Sequence, residues 1–177
     1  MLLTHFGLSG PIVLNISNDI VKRLEQGKVI VSLDLKPALT EQELNLRLQK
    51  DFEKYRNHDF KNSLKDLLPL NLIEPVLDLS KINVHKKVHQ VTKEERANLA
   101  KLLKNIEVEI NGHLGFETAI VTSGGIDLKE VDQKTMKSKI ISNLYFAGEI
   151  LDIDGKTGGY NLQMCWTTGY LAGKNFI

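Results

Sequence analysis

The sequence predicts an α+β fold, in which a helical and strand part is followed by a shorter strand, loop and helix segment. Three observations predict it. T-x-x-E pairs at Thr40 and Thr92 stand ahead of helically spaced apolar stripes. The stretch "KVIVSLDL" alternates in the manner of a half-buried strand. After Ile106 the chain turns to strand-forming residues punctuated by glycine.

In chain order, the opening "MLLTHFGLSGPIVLNISNDIVKRLEQGK" places Gly7, Ser9, Gly10 and Pro11 in a loop before a helix from Pro11 to Gln26. Proline suits a first turn, and Gly27 stops the helix. Val29, Val31, Leu33 and Leu35 then share one face of a strand. Thr40 and Glu43 form a capping-box pattern ahead of Leu44, Leu48, Phe52 and Tyr55, which predicts a helix to Arg56. The stretch "FKNSLKDLLPLNLIEPVLDLS" reads as short helical pieces interrupted at Pro69 and Pro75. Thr92 and Glu95 open another helix carrying Leu99, Leu102, Leu103 and Ile106. "IEVEI" and "ETAIVT" read as strands bounded by Gly112, Gly115, Gly124 and Gly125, and the run Leu144 to Ala147 as a strand ending at Gly148. The terminal "GGYNLQMCWTTGYLAGKNF" is a helix apolar nearly all round, so it is expected to be covered on most sides. The composition shift places a domain boundary near 115 to 120, giving residues 1–118 and 119–177 as the two parts.

With 177 residues and 42% apolar content the chain can bury a real core. Lys and Arg number 23 against 22 Asp and Glu, so there is no global pull toward nucleic acid, membrane or an acidic partner. One cysteine excludes an internal disulfide and a cysteine-rich zinc site. No apolar run approaches the roughly 18 residues of a membrane span, and no signal-peptide pattern is present, so a cytoplasmic protein is expected.

Several local patterns invite chemistry and have plainer readings beside them. His85 and His89 have i,i+4 spacing, yet Lys86 stands where a zinc protease carries its glutamate, and packed or solvated histidines explain them. Residues 81 to 104 carry seven Lys and Arg against Glu94 and Glu95. A phosphate-binding face follows from that excess, but the stretch has no aromatic to stack on bases, and a solvated helix face is the simpler account. Asp152, Asp154 and Gly155 resemble a small piece of a calcium loop interrupted by Lys156. Cys165 reads as apolar filler, and Ser9 lacks the spacing of a nucleophile elbow.

The stretch "LYFAGEILDIDGKTGGYNLQ", residues 144 to 163, is the better candidate. A glycine at a strand end lets a ligand approach the backbone, and Glu149 can accept hydrogen bonds from sugar-type hydroxyls. The Thr157-Gly158-Gly159 turn then opens a helix whose unpaired N–H groups favour an electron-rich ligand such as a reduced flavin. A tight loop between a strand and a packed helix would look the same.

Together with "TSGGI" at 122 to 126 and "THFGLSGP" at 4 to 11, this stretch resembles the bacterial HI0933-like flavoproteins, labelled NAD(P)/FAD-dependent oxidoreductases or aminoacetone oxidase-like FAD-binding enzymes. The resemblance implies that residues 1–118 are the latter part of an inserted domain and 119–177 the C-terminal segment of a Rossmann-like FAD-binding domain. No G-x-G-x-x-G turn is present, so the chain is expected to be a C-terminal fragment, inactive alone and failing to retain FAD. By the same resemblance Gly148 and Glu149 face the ribityl chain, with Glu149 the hydroxyl acceptor. Gly159, Tyr160, Asn161 and Leu162 form the helix start beneath the pyrimidine ring, and Gly124 and Gly125 pass close to the isoalloxazine. The Thr4 to Pro11 loop with His5 lies toward the substrate side. FAD is the implied cofactor, and NAD(P) follows from the family label alone. The substrate, a small molecule, and any catalytic acid or base are not given by the residues. Self-association through uncovered apolar surface is an expected consequence of a fragment. The rival reading is a non-catalytic module whose basic helical cluster, residues 40 to 105, binds nucleic acid or protein.

Overall fold

Leu2 faces Ser9 and Thr4 faces Gly7, closing an antiparallel hairpin of β1 (Leu2–Thr4) and β2 (Gly7–Ser9). The computed structural model describes residues 1–176. The hairpin replaces the loop expected here; Thr4 Oγ1 donates to the Gly7 carbonyl at 2.9 Å and helps close its turn. α1 (Pro11–Leu24) follows with Pro11 in its first turn, two residues shorter than the glycine stop suggested. The chain then divides by packing into two units, Met1–Val29 with everything from Asn111 onward, and Ile30–Ile110.

The Ile30–Ile110 unit is mostly helical. β3 (Val29–Leu33) pairs with β4 (Ile106–Ile110) in a two-stranded sheet. α2 (Glu41–Lys54) and α4 (Lys93–Lys104) both begin with complete capping boxes: Thr40 and Thr92 accept from the amides of Glu43 and Glu95, whose side chains accept in return. α2 packs on α4 through Leu44, Leu48, Leu99 and Leu103, all buried. Phe52 and Phe60 meet edge to face at 6.0 Å in the same core.

α3 (Leu70–Ser80) starts at Pro69, as expected, but runs through Pro75 without a break. An internal proline costs a helix about 3 kcal/mol. Ile73, Val76 and Leu77 are buried around it. Each such side chain contributes about 1.5–3 kcal/mol, so packing outweighs the local penalty.

Three expectations for the C-terminal region are corrected. "ETAIVT" forms no strand: Phe116–Thr118 is a 3₁₀ turn and Ile120 is exposed, with no strand beside it among the described residues to satisfy its backbone. The Leu144–Ala147 run is not a full strand but a single antiparallel bridge between Tyr145 and Lys137, flanked by Ser138 N–H donating to the Leu144 carbonyl. α5 (Tyr160–Asn175) buries only Thr168, while Trp166 and Tyr170 are 66% and 68% exposed. Leu171 and Ala172 give its inner side, packed on a small cluster of Val131, Met136 and Leu151. Met164 and Cys165 are half-buried on the same side, and Tyr160 and Leu162 are exposed like Trp166 and Tyr170. No helix among the described residues is long and apolar enough to cross a membrane.

Candidate functional site

The unit that joins the N-terminal hairpin and α1 to the C-terminal region contains a cluster of loops around the start of α5. Ile126 and Leu151 form a parallel bridge, in which Ile126 N–H donates to Ile150 O at 2.9 Å and Asp152 N–H to Ile126 O at 3.1 Å. Asp152 Oδ1 reaches back to accept Gly124 N–H at 3.1 Å. These bonds bring Gly124 and Gly125 against the chain that follows Gly148 and Glu149.

Gly125 is required by this contact. Its φ is +142°, and a Cβ there would lie 2.4 Å from Ile150 O. Gly148 is also occupied, since its N–H donates to Thr168 Oγ1 at 2.9 Å within the buried side of α5. Glu149 sits in the short Gly148–Ile150 turn with its side chain exposed.

The start of α5 is shaped by the loop before it. Gly159 caps the helix with φ +92°, a left-handed conformation that glycine adopts without Cβ strain, and open space surrounds it. Asn161 clasps the Gly155 peptide: its Oδ1 accepts Gly155 N–H at 2.7 Å and its Nδ2 donates to Gly155 O at 2.9 Å. The loop is thus folded back beside the helix's positive end, while Tyr160 and Leu162 remain exposed.

Sequence reasoning missed the residues of α1 that hold these loops. Asn15 Oδ1 accepts both Thr157 N–H at 2.7 Å and Thr157 Oγ1–H at 3.0 Å. Asn18 Nδ2 donates to Asp154 Oδ2 at 2.8 Å and Ser123 Oγ at 3.2 Å. The available signal was two asparagines three apart inside a helix, where asparagine is a poor helix former and needs another reason to be present.

The remaining candidates are engaged elsewhere. Asp152 and Asp154 act as loop anchors, and no group of three or more His, Cys, Asp or Glu among the described residues could hold a metal ion. His85 and His89 do not share a helix; His85 lies in a turn, and His89 Nδ1 donates to Arg56 O at 3.0 Å. Ser9 pairs with Leu2 in the hairpin, and His5 packs its ring edge on Phe6. Cys165 is half-buried along α5. In the basic stretch Lys86, Lys87 and Lys104 pair with Glu95, Asp59 and Asp34, and Arg96 Nε donates to Asn45. Lys86 beside it, with help from the Thr92 amide, holds the Glu95 carboxyl below its ordinary range.

Residues 1–121 match the family described as HI0933-like protein barrel and H2TH domain. The chain is 34% identical over all 177 residues to the ribosomal RNA dihydrouridine synthase of Escherichia coli, covering 42% of that protein. It is 37% identical over 171 residues, 96% of the chain, to the protein of the same name from Haemophilus influenzae, covering 40% of it. It is 33% identical over 175 residues, 98% of the chain, to the 3-dehydro-bile acid delta(4,6)-reductase of Clostridium scindens, covering 43% of it. The chain therefore spans about two fifths of the length of these relatives. With well over half of its length matched by the family model, the chain belongs to the HI0933-like family.

Proposed function

We propose that this chain supplies the flavin-facing half of the cofactor site of an FAD-dependent oxidoreductase. In this reading residues 1–118 belong to the inserted domain and 119–177 to the segment that completes a Rossmann-like FAD-binding domain; the family match over 1–121 supports the division. The carrying observation is the gathering of Gly124, Asp152, Asp154 and the Gly155–Gly159 loop at the start of α5 by mutual hydrogen bonds.

The residues fit such a group. A Cβ at Gly124 or Gly159 would meet nothing within 4 Å, so a flat ring can approach the backbone there. The first-turn N–H groups of α5 donate to no helical partner and favour negative charge on a bound ring. Tyr160, Asn161 and Leu162 are the residues that present them, and Glu149 is an exposed carboxylate that can accept hydrogen bonds from ribityl hydroxyls. Gly125 and Gly148 shape the loops. Bound FAD supplies hydride or electron transfer, with NAD(P) as the reductant and the cytoplasm as the compartment. The names of the relatives support a reductive reaction, since a dihydrouridine synthase and a delta(4,6)-reductase both add hydrogen to an unsaturated ring. Two of the three act, by name, on ribosomal RNA, and we take a uridine in ribosomal RNA as the substrate class.

A chimera in which this chain replaces the matching part of the Escherichia coli relative tests the proposal. It is expected to hold stoichiometric FAD by visible absorbance, and Glu149→Ala with Gly159→Val is expected to weaken binding by at least about tenfold, or about 1.4 kcal/mol. A folded chimera without flavin, beside a flavin-bound native relative, overturns it. The chain alone is expected to stay colourless after soaking with FAD, and tight stoichiometric binding by it would overturn the half-site reading.

A further inference from the structure

We propose that one edge of the helical unit, where residues 56–61 lie against 84–89, is a docking surface for the phosphates of double-stranded RNA. The choice of RNA among polyanions rests on the ribosomal RNA reading above; the surface itself does not. Residues 54–65 and 81–93 carry eight of the chain's 23 Lys and Arg but one of its 22 Asp and Glu. The fold brings these two stretches together. His89 N–H donates to Arg56 O at 3.1 Å, Val88 N–H to His58 O at 3.0 Å, Phe60 N–H to Lys86 O at 2.9 Å and Lys61 N–H to Val84 O at 3.2 Å. Buried Phe60 and Val88 pin the seam from the core side. On the solvent side Arg56, His58, Lys61, His85, Lys87 and His89 are all exposed.

Four carboxylates answer the eight cations: Glu53 pairs with Arg56, Asp59 with Lys87, Asp66 with Lys54 and Glu95 with Lys86. Among the described residues Lys61, Lys65, Lys81 and Lys93 form no ion pair. Asp59 lies close enough to Lys61 and His85, as well as to Lys87, for all three to favour its ionised form. Within the seam Lys61 is the cation without an ion pair among the described residues, and Lys65, Lys81 and Lys93 extend the positive excess along the flanking parts of the two stretches, in a chain whose overall charge is +1. The edge offers no exposed Phe, Tyr or Trp among the described residues; Tyr55 is half-buried with its hydroxyl donating to Asp66, and the exposed rings are the imidazoles of His58, His85 and His89. Without a large aromatic platform for unpaired bases, a duplex read by its phosphates and shape is the RNA that suits it.

The test is binding of the chain to a short RNA duplex across a salt series, by fluorescence anisotropy. Lys61→Gln with Lys87→Gln is expected to weaken binding at low salt about tenfold or more and to lower the salt slope by about two, one per lysine removed. Lys101→Gln with Lys129→Gln, exposed lysines outside the two stretches, is expected to leave both nearly unchanged. Circular dichroism checks that both variants are folded. Equal affinities for the two double variants overturn the surface. Equal affinity and slope for a B-form DNA duplex of the same length overturn the assignment to RNA. None of these readings involves flavin, so failure of the cofactor proposal would leave them unaltered.

Discussion

A single amide group of Asn18 ties two distant loops together, donating to Asp154 Oδ2 at 2.8 Å and to Ser123 Oγ at 3.2 Å. Those positions are 136 and 105 residues away in sequence, so α1 is the peg on which the candidate flavin-facing loops hang.

Asn18→Ala removes both bonds while improving the helix. Losing a hydrogen bond costs about 1 kcal/mol, and alanine recovers about 0.5 kcal/mol of helix propensity. Global stability is expected to change by less than about 2 kcal/mol. The amides of residues 152 to 158 are expected to exchange with deuterium markedly faster than in the parent. Unchanged exchange there would show that the peg is dispensable.

Two loop glycines are expected to respond differently to alanine. At Gly159 the space is open and the cost is that of a left-handed residue, about 1–2 kcal/mol. At Gly125 the new methyl would also meet Ile150 O at 2.4 Å and must break the Ile126–Leu151 bridge. Denaturant midpoints are expected to fall clearly further for Gly125→Ala; a reversed order would contradict the contact.

In the helical unit, Leu48 and Leu103 are fully buried between α2 and α4. Leu48→Ala or Leu103→Ala is expected to destabilise the chain by about 2–5 kcal/mol. Chemical denaturation measures it, and a loss below about 1 kcal/mol would mean the core is looser than described.

Acid should weaken this unit in a defined way. Lys86 holds Glu95 low, Lys87 holds Asp59 low and Lys54 holds Asp66 low. A carboxyl whose folded value lies below its unfolded one stabilises the fold above the unfolded value and ceases to as pH falls through the folded one. Stability is therefore expected to drop below about pH 4, the unfolded carboxylate range. Glu95→Gln is expected to shallow that drop in denaturation midpoints taken across pH, and an unchanged acid limb would remove Glu95 as a contributor.

The local signals legible in the sequence were those that neighbouring residues settle among themselves. Thr40 with Glu43 and Thr92 with Glu95 cap their own helices, and leucines at helical spacing define a buried stripe whatever lies opposite. The family motifs were legible for a related reason, being short stretches whose backbone geometry depends on their own glycines. Tertiary structure decided what needed a distant partner. "ETAIVT" has strand-forming residues and, among the described residues, no strand to pair with, and Pro75 stays helical because Ile73, Val76 and Leu77 are buried around it. Asn15 and Asn18 came to anchor the candidate-site loops when folding brought Thr157, Asp154 and Ser123 to them, and the basic seam exists because four backbone bonds join stretches some 28 residues apart. Periodicity and capping are properties of a few adjacent residues; a hydrogen bond across the fold is fixed by where the core sets its two ends.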